Sequence, residues 1–574
     1  MKRNRTTTRK LHIESLERRC LLTGNVSVNV AGHTLILIGD NSDNTAVVSG
    51  TGNPGEYLVS DPTGTTNFRF QGTDNASVVV EGITDSIIVD LKNAPDGDAF
   101  GLTHAALRGS VVVNTGSGND TVAIGNGVGL EAIIGTDITL GPVRLAGSIV
   151  IDTGKGDDLV DIGFANAGAA APATAVAVGG SVVIHTQGDN DTVNLGLIDL
   201  TPPDDLIPGQ GVTGPAAVAI RHDLIIGTGG SSGTGSDTVF ESSTAVGGSN
   251  VISAEGNVDV TLSNTSSAVA VGGTVISTDQ GVDIAHNLDI HLGRGTNSLR
   301  VYDTAVGDTF NVTAPTSNND ITLESLRVRH NANIVLGVGN DTILVGTTPV
   351  DETTGTLVFI GGDFNIITAK GNTTVEEAAL SVGGSENVNL GRGVNGVFIN
   401  DDAADDDRSS NDTESHVAIG RDLNVNFGDG SATFRANDAG IGHNVNVIHG
   451  GGGDATVELG AVHVGRNILI ITGRGSDFVH IEGDTTAQDL FIDTGSGDDD
   501  VEFDLGDSTV QSTFKSLEVF LGSGDDSLFL STVVVTGRAL LDGVSGDDTL
   551  TFDTGTNSFG KLKIFNFEHV NGSP

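Results

Sequence analysis

The sequence predicts an all-β fold, a right-handed parallel β-helix (β-solenoid), and three observations carry that prediction. The first is a phrase that returns along the chain: SVVVNTGSGNDTVAI from Ser110, SIVIDTGKGDDLVDI from Ser148, DLFIDTGSGDDDVEF from Asp489 and SLEVFLGSGDDSLFL from Ser516. The second is its period. The first residue of the phrase recurs at 422, 444, 467, 489 and 516, at intervals of 22, 23, 22 and 27 residues. A repeat of that length made of strands and turns marks a solenoid with one coil per repeat. The third is composition: 82 glycines against 12 prolines, with Val, Ile, Leu and Thr between the glycines and no helical periodicity.

Four segments follow in order. Residues 1–23 form a basic leader, 24–100 an N-terminal cap with the first coils, 101–560 the solenoid body and 561–574 a C-terminal cap. The leader, MKRNRTTTRKLHIESLERRCLLT, holds seven of the 28 basic residues and lacks the apolar stretch of an ordinary secretory signal. The looser phrases TLILIGDNSDNTAVVSG from Thr34 and SVVVEGITDSIIVDL from Ser77 open the solenoid. In the body, an alternating strand such as Leu423-Asn424-Val425 leads into Gly-x-Gly-x-Asp. A second strand such as Val122-Ala123-Ile124 follows, and a third stretch such as Ala461-Val462-His463-Val464 returns the chain. Three short strands in about 22 residues make one triangular coil, with alternate side chains inside. About fifteen coils at about 4.8 Å give a rod of about 70 Å. Lys561–Val570 lacks the Gly-Asp turn and is expected to close the end. Phe164–Gly179, Leu197–Ala219 and the acidic Asp401–Glu414 read as inserted loops. Asn287, Asn331, Asn444 and Asn467 share one place in the repeat and are expected to stack as a hydrogen-bonded ladder.

Charge narrows the function classes. The net charge is −46, and beyond position 20 it is −51. Such a surface repels nucleic acid and anionic lipid and favours cations. No apolar run is long enough to span a bilayer as a helix. Cys20 is the single cysteine, so neither an intramolecular disulfide nor a cysteine-based zinc site is available. His222, His286, His330 and His443 fall at a repeat position also occupied by Arg421 and Arg466, which reads as an outward corner and not a ligand set.

Chemistry, if any, belongs to the recurring aspartates: Asp120, Asp158, Asp191, Asp341, Asp454, Asp477, Asp499, Asp526 and Asp548. Stacked one per coil, carboxylates about 4.8 Å apart repel by about 3.5 kcal/mol at an effective dielectric near 20. Solvation, protonation or a bridging cation must relieve that repulsion, and Ca²⁺ suits carboxylates combined with backbone carbonyls.

Two resemblances extend this reading. Gly116-Ser117-Gly118-Asn119-Asp120-Thr121-Val122 and Gly522-Ser523-Gly524-Asp525-Asp526-Ser527-Leu528 resemble the G-x-G-x-D-x-U core of RTX, haemolysin-type calcium-binding repeats. The resemblance implies structural Ca²⁺ held at Gly116, Gly118 and Asp120, at Gly495, Gly497 and Asp499, and at Gly522, Gly524 and Asp526. Asp158, Asp454, Asp477 and Asp548 stand at the corresponding aspartate positions. RTX repeats recur every nine residues, whereas this chain has one motif per 22 or more, so only one wall would carry ions. In the leader, Leu16-Glu17-Arg18-Arg19-Cys20-Leu21-Leu22 resembles the LEPR-XLL motif of large exported proteins of planctomycetes and other Gram-negative bacteria, with Arg18 in place of proline. That resemblance implies export.

The expected protein is therefore a secreted or cell-surface structural, adhesin-like solenoid with cell-surface or matrix partners, and not an enzyme. The alternative is a polysaccharide lyase or glycoside hydrolase on the same scaffold. It lacks a basic groove, and the chain has no tryptophan and two tyrosines to offer sugars.

Overall fold

The computed structural model describes residues 24–573 apart from 126–141, 164–175, 197–217, 229–235, 243, 255–256, 264–281, 347–356, 401–416, 507 and 554–555. The leader with its LEPR-XLL-like stretch and Cys20 lies outside the described residues. So do most of the first two insertions and all of the acidic one.

The chain winds as a parallel β-helix with three sheets. In the first sheet Val111–Asn114 lies on Ile149–Gly154, then on Val182–Thr186 and Leu224–Thr228. In the second, Thr121–Ile124 lies on Leu159–Ile162 and Thr192–Leu195. Strands of two or three residues form the third, as in Ala106–Leu107, Val143–Leu145, Val176–Val178 and Val218–Ile220. Strand alternation decides which residues go inside. Val111, Ile149, Val182 and Leu224 stack in one fully buried column, and Val122, Val160, Val193 and Val239 in another. Each such side chain contributes roughly 1.5–3 kcal/mol, realised only when the next coil covers it.

Among the described residues the first sheet has nineteen rungs, from Thr34–Ile38 to Ser558–Phe565, making the rod about 90 Å long. The excess over the expected fifteen comes from coils without the Gly-Asp turn. Phe310–Val328, a single 19-residue strand, bends through all three sheets and pairs in turn with Ala332–Val338, Asp341–Val345 and Val358–Ile360. The N-terminal segment adds antiparallel hairpins: Gly24–Ala31 with Thr34–Ile38, and Tyr57–Ser60 between Thr45–Gly50 and Ser77–Val80. At the other end Ser558–Phe565 and His569–Asn571 continue the sheets as their last rungs.

Polar ladders tie coil to coil on the outside. The residue that opens the first strand uses its side-chain oxygen to accept the amide of its counterpart one coil on. Ser148 donates its amide to Ser110 Oγ at 2.9 Å, Thr309 to Asn287 Oδ1 at 3.3 Å, Asp363 to Asn331 Oδ1 at 2.9 Å and Asn467 to Asn444 Oδ1 at 3.3 Å. The expected asparagines thus share one column with Ser, Thr and Asp, and it bonds mainly side chain to backbone, with side-chain bonds added where Thr309 Oγ1 donates to Asn287 Oδ1 and Asn444 Nδ2 to Asp422 Oδ1, both at 2.8 Å. The side-chain-to-side-chain ladder runs two residues further on, through Asn311, Asn333, Asn365, Asn387, Asn424 and Asn446, each Nδ2 donating to the previous Oδ1 at 2.6–2.9 Å, with Asp289 accepting from Asn311.

At two coils a pair of facing strand columns that elsewhere carry apolar side chains holds polar ones. At one pair of facing columns, Asn250 Nδ2 donates to Glu241 Oε2 at 2.8 Å, both residues fully buried. At the same two columns further along, Glu377 and Glu386 face each other, 2% and 0% exposed. Burial raises the pKa of both, and the neighbouring carboxylate raises Glu377 further. Protons held in the folded state at pH values where the unfolded carboxyls are ionised mean that stability falls as pH rises toward the folded pKa. Glu386→Gln supplies the amide donor that Asn250 already provides to Glu241. It is expected to gain about 1–2 kcal/mol at pH 8 and to weaken the alkaline loss, as read by denaturant melts at pH 5.5 and 8.

Candidate functional site

The Gly-x-Gly-x-Asp corner joins the first sheet to the second. Its glycines are set by backbone geometry. Gly116, Gly118, Gly495, Gly497, Gly522 and Gly524 have φ between +91° and +146°, where an L side chain is strained. They also stack directly: a Cβ on Gly497 would lie 1.6 Å from the Gly475 carbonyl oxygen, and one on Gly522 would lie 2.0 Å from that of Gly495. Three of the first-glycine carbonyls are committed to the fold, accepting the amide of the middle residue one coil on: Lys155 to Gly116 O at 3.3 Å, Ser523 to Gly495 O at 3.0 Å and Ser545 to Gly522 O at 2.9 Å.

The aspartates do form a column, and it faces inward. Register aligns Asp98, Asp120, Asp158, Asp191 and Asp237 in successive coils, and Asp477, Asp499, Asp526 and Asp548 toward the C-terminus. All nine are at most 2% exposed. Each Oδ1 accepts the backbone amide of the residue stacked on it in the preceding coil. Asp98 donates to Asp120 at 2.6 Å, Asp120 to Asp158 at 2.9 Å, Ala455 to Asp477 at 2.7 Å, Asp477 to Asp499 at 2.8 Å, Asp499 to Asp526 at 2.8 Å and Asp526 to Asp548 at 3.0 Å. In between, the column passes through Asn297, Asn319, Asp341, Thr373, Asn395, Ala432 and Ala455.

A second column, one residue earlier in the chain, faces solvent and runs with the opposite polarity. Ser476 donates its amide to Asp454 Oδ1 at 2.9 Å, Asp525 to Asp498 Oδ1 at 3.0 Å and Asp547 to Asp525 Oδ1 at 3.1 Å. Asp454 belongs here. Its expected equivalence with Asp477 is corrected by register, because Ala455 is the residue that stacks on Asp477, while Asp454 is exposed.

Burial dominates the electrostatics of the inner column. It pushes Asp98 up to about 8, Asp158 and Asp526 to about 7, and Asp120, Asp191 and Asp499 to about 6, against backbone amides and, at Asp120, Asp158, Asp191 and Asp499, nearby threonine hydroxyls that pull the other way. Asp341, Asp477 and Asp548 are raised for the same reason. The second oxygen, Oδ2, is buried and receives no hydrogen bond in Asp98, Asp120, Asp158, Asp191, Asp341, Asp477, Asp499, Asp526 and Asp548.

A calcium ion takes about six to eight oxygen ligands. The inner column offers one uncommitted carboxylate oxygen per coil, on the dry side of the corner, with the carbonyls of Gly116, Gly495 and Gly522 already bonded. Among the described residues no three His, Cys, Asp or Glu side chains are grouped to hold a metal. The corner's residues therefore do not fit a calcium shell. They fit a hydrogen-bonded staple, in which a short side chain satisfies the amide where the chain turns between sheets. No family model, no curated protein and no solved structure matches the chain.

Proposed function

We propose that the protein is a non-catalytic structural rod that works outside the cell, at the surface or in the surrounding matrix, in the manner of an adhesin stalk. The uninterrupted stack of three sheets on one apolar core carries this reading, because it fixes length and stiffness while leaving the outer columns to charge and solvent. The acidic surface favours solubility and keeps neighbouring rods apart, and the export-like leader supports an extracellular location. No helix among the described residues is long and apolar enough to cross a membrane, so attachment through such a helix is not part of the proposal.

The reading is tested by protease treatment of intact cells: a surface rod is degraded without lysis, and full protection would overturn the location. Incubation with acidic and neutral polysaccharides is expected to give no cleavage products, and turnover would overturn the non-catalytic assignment. Calcium is expected to be dispensable. Thermal unfolding in excess Ca²⁺ and in chelator should give the same midpoint, and a midpoint that rises with Ca²⁺ would restore a bridging ion.

A further inference from the structure

The inner aspartate column poses a chemical question that the rod does not need answered in order to stand: what satisfies its second oxygens? The threonines beside it suggest an answer. Thr115 adjoins Asp120 and Thr494 adjoins Asp499. Each hydroxyl carries one proton, and that proton is given away along the rod. Thr115 Oγ1 donates to the Thr153 carbonyl at 3.3 Å, and Thr494 Oγ1 to the Leu521 carbonyl at 2.5 Å. At Asp237 the corresponding threonine, Thr228, does donate to Oδ2, at 3.0 Å, whereas at Asp120 and Asp499 the hydroxyl turns to the carbonyl and Oδ2 is left without a hydrogen bond. An ionised carboxylate there would set an unpaired oxygen against a lone pair, in a site hidden from water.

The column itself shows which species belongs in it. Asn395 stands in the same register and also accepts an amide, that of Thr373, on Oδ1 at 3.0 Å. Its Nδ2 donates to the Gly391 carbonyl at 2.8 Å. Asn297 and Asn319 likewise donate from Nδ2, to Asn319 Oδ1 and Asp341 Oδ1 at 2.8 and 2.7 Å. An amide is the neutral, donor-bearing counterpart of a protonated carboxyl. At Asn395 the column thus takes the shape of a protonated aspartate, an acceptor toward the preceding coil and a donor on the other atom, while Thr373, Ala432 and Ala455 interrupt the series.

We propose that the inner column is a proton-binding site, in which the buried, unpartnered Oδ2 of Asp120 and Asp499 carries a proton, and that the rod folds with uptake of protons from solvent. The charged groups around it point the same way. Asp499 and Asp526 face Asp477, Asp498 and Asp548, all acids, and Asp120 lies between Asp98 and Asp158. His449 faces Asp477 and draws its pKa down against burial, so Asp477 is set apart. Folded pKa values near 6 to 8, against an ordinary aspartate near 3.9, bind protons on folding across the interval between them. Stability is present in full below that interval and is lost as pH rises through the folded values. A cation-bridged corner would behave oppositely and be strongest with its carboxylates ionised.

The test uses the full chain, in chelator, at pH 5.5 and pH 8. The wild type should melt at a lower temperature at pH 8. In D499N/D526N the asparagines supply the missing donors, so Tm at pH 8 should rise and the gap between the two pH values should narrow. The exposed pair D498N/D525N removes the same charge from the outer column but leaves the inner carboxyls in place, so it should narrow the gap less than D499N/D526N, which separates proton binding from relief of overall repulsion. Infrared difference spectra at pH 5.5 should show protonated-carboxyl absorption in the wild type that weakens in D499N/D526N. Equal narrowing in the two double variants, a lower Tm for D499N/D526N at both pH values, or no protonated-carboxyl band would each overturn the proposal.

Discussion

Gly524→Ala is expected to separate the C-terminal coils from the rest of the rod. Gly524 has φ +146°, and a Cβ there would lie 1.7 Å from the Gly497 carbonyl oxygen and 2.5 Å from its carbon. Neither backbone can give way, since each is fixed by its own stack. The coil must lift, and lifting opens the Asp499–Asp526 amide bond at 2.8 Å and uncovers the column of Phe503 and Leu530. The expected cost exceeds about 4 kcal/mol, the range reserved for a named structural break. Gly440→Ala is the control. Nothing lies within 4 Å of a Cβ at that outward-facing strand position, so the effect should stay within about 0.5 kcal/mol. Calorimetry should resolve a separate, earlier transition for G524A and a single wild-type-like one for G440A.

Phe503→Ala should be nearly as severe, for a different reason. Phe503 is fully buried, stacked between Ile481 and Leu530 and packed edge-to-face on Phe514 at 6.5 Å and 81°. Truncation loses the ring's transfer energy and leaves a cavity that two ladders hold open, for about 3–5 kcal/mol. In a solenoid each coil leans only on its neighbours. The loss should therefore appear in hydrogen exchange as deprotection of coils around residues 478–530, with the coils near residues 111–195 unchanged.

The aliphatic positions were legible because their period of two survives in every coil: Val122 and Ile124, or Val501 and Phe503, announce one face. The same parity held the answer for the aspartates. Asp120 is in step with Val122 and Ile124, Asp499 with Val501 and Phe503, and Asp526 with Leu528 and Leu530, so the carboxyls had to point inward with the core. Asp454 is out of step with Val457 and Leu459 and had to point out. The Gly-Asp spelling favoured a solvent-facing turn, and the resemblance to calcium-binding repeats reinforced it. Neither weighs the parity of the strand that follows. Coils such as Phe310–Val328 are harder to read because their corners bend within a strand and leave no glycine punctuation. The Glu377–Glu386 pair sits on core columns that most coils fill with aliphatics or phenylalanine, and only the three-dimensional register reveals that two acids meet there.

Because the strands stack across the rod, every sheet hydrogen bond lies along its length. Tension between the two ends would reach these bonds in series, opening one rung before the next is strained, so the molecule should lengthen under force in many small steps. A sideways push meets the whole apolar column at once. The same architecture is thus compliant to pulling and stiff to bending, a mechanical asymmetry suited to a spacer that holds its reach yet yields gradually under load.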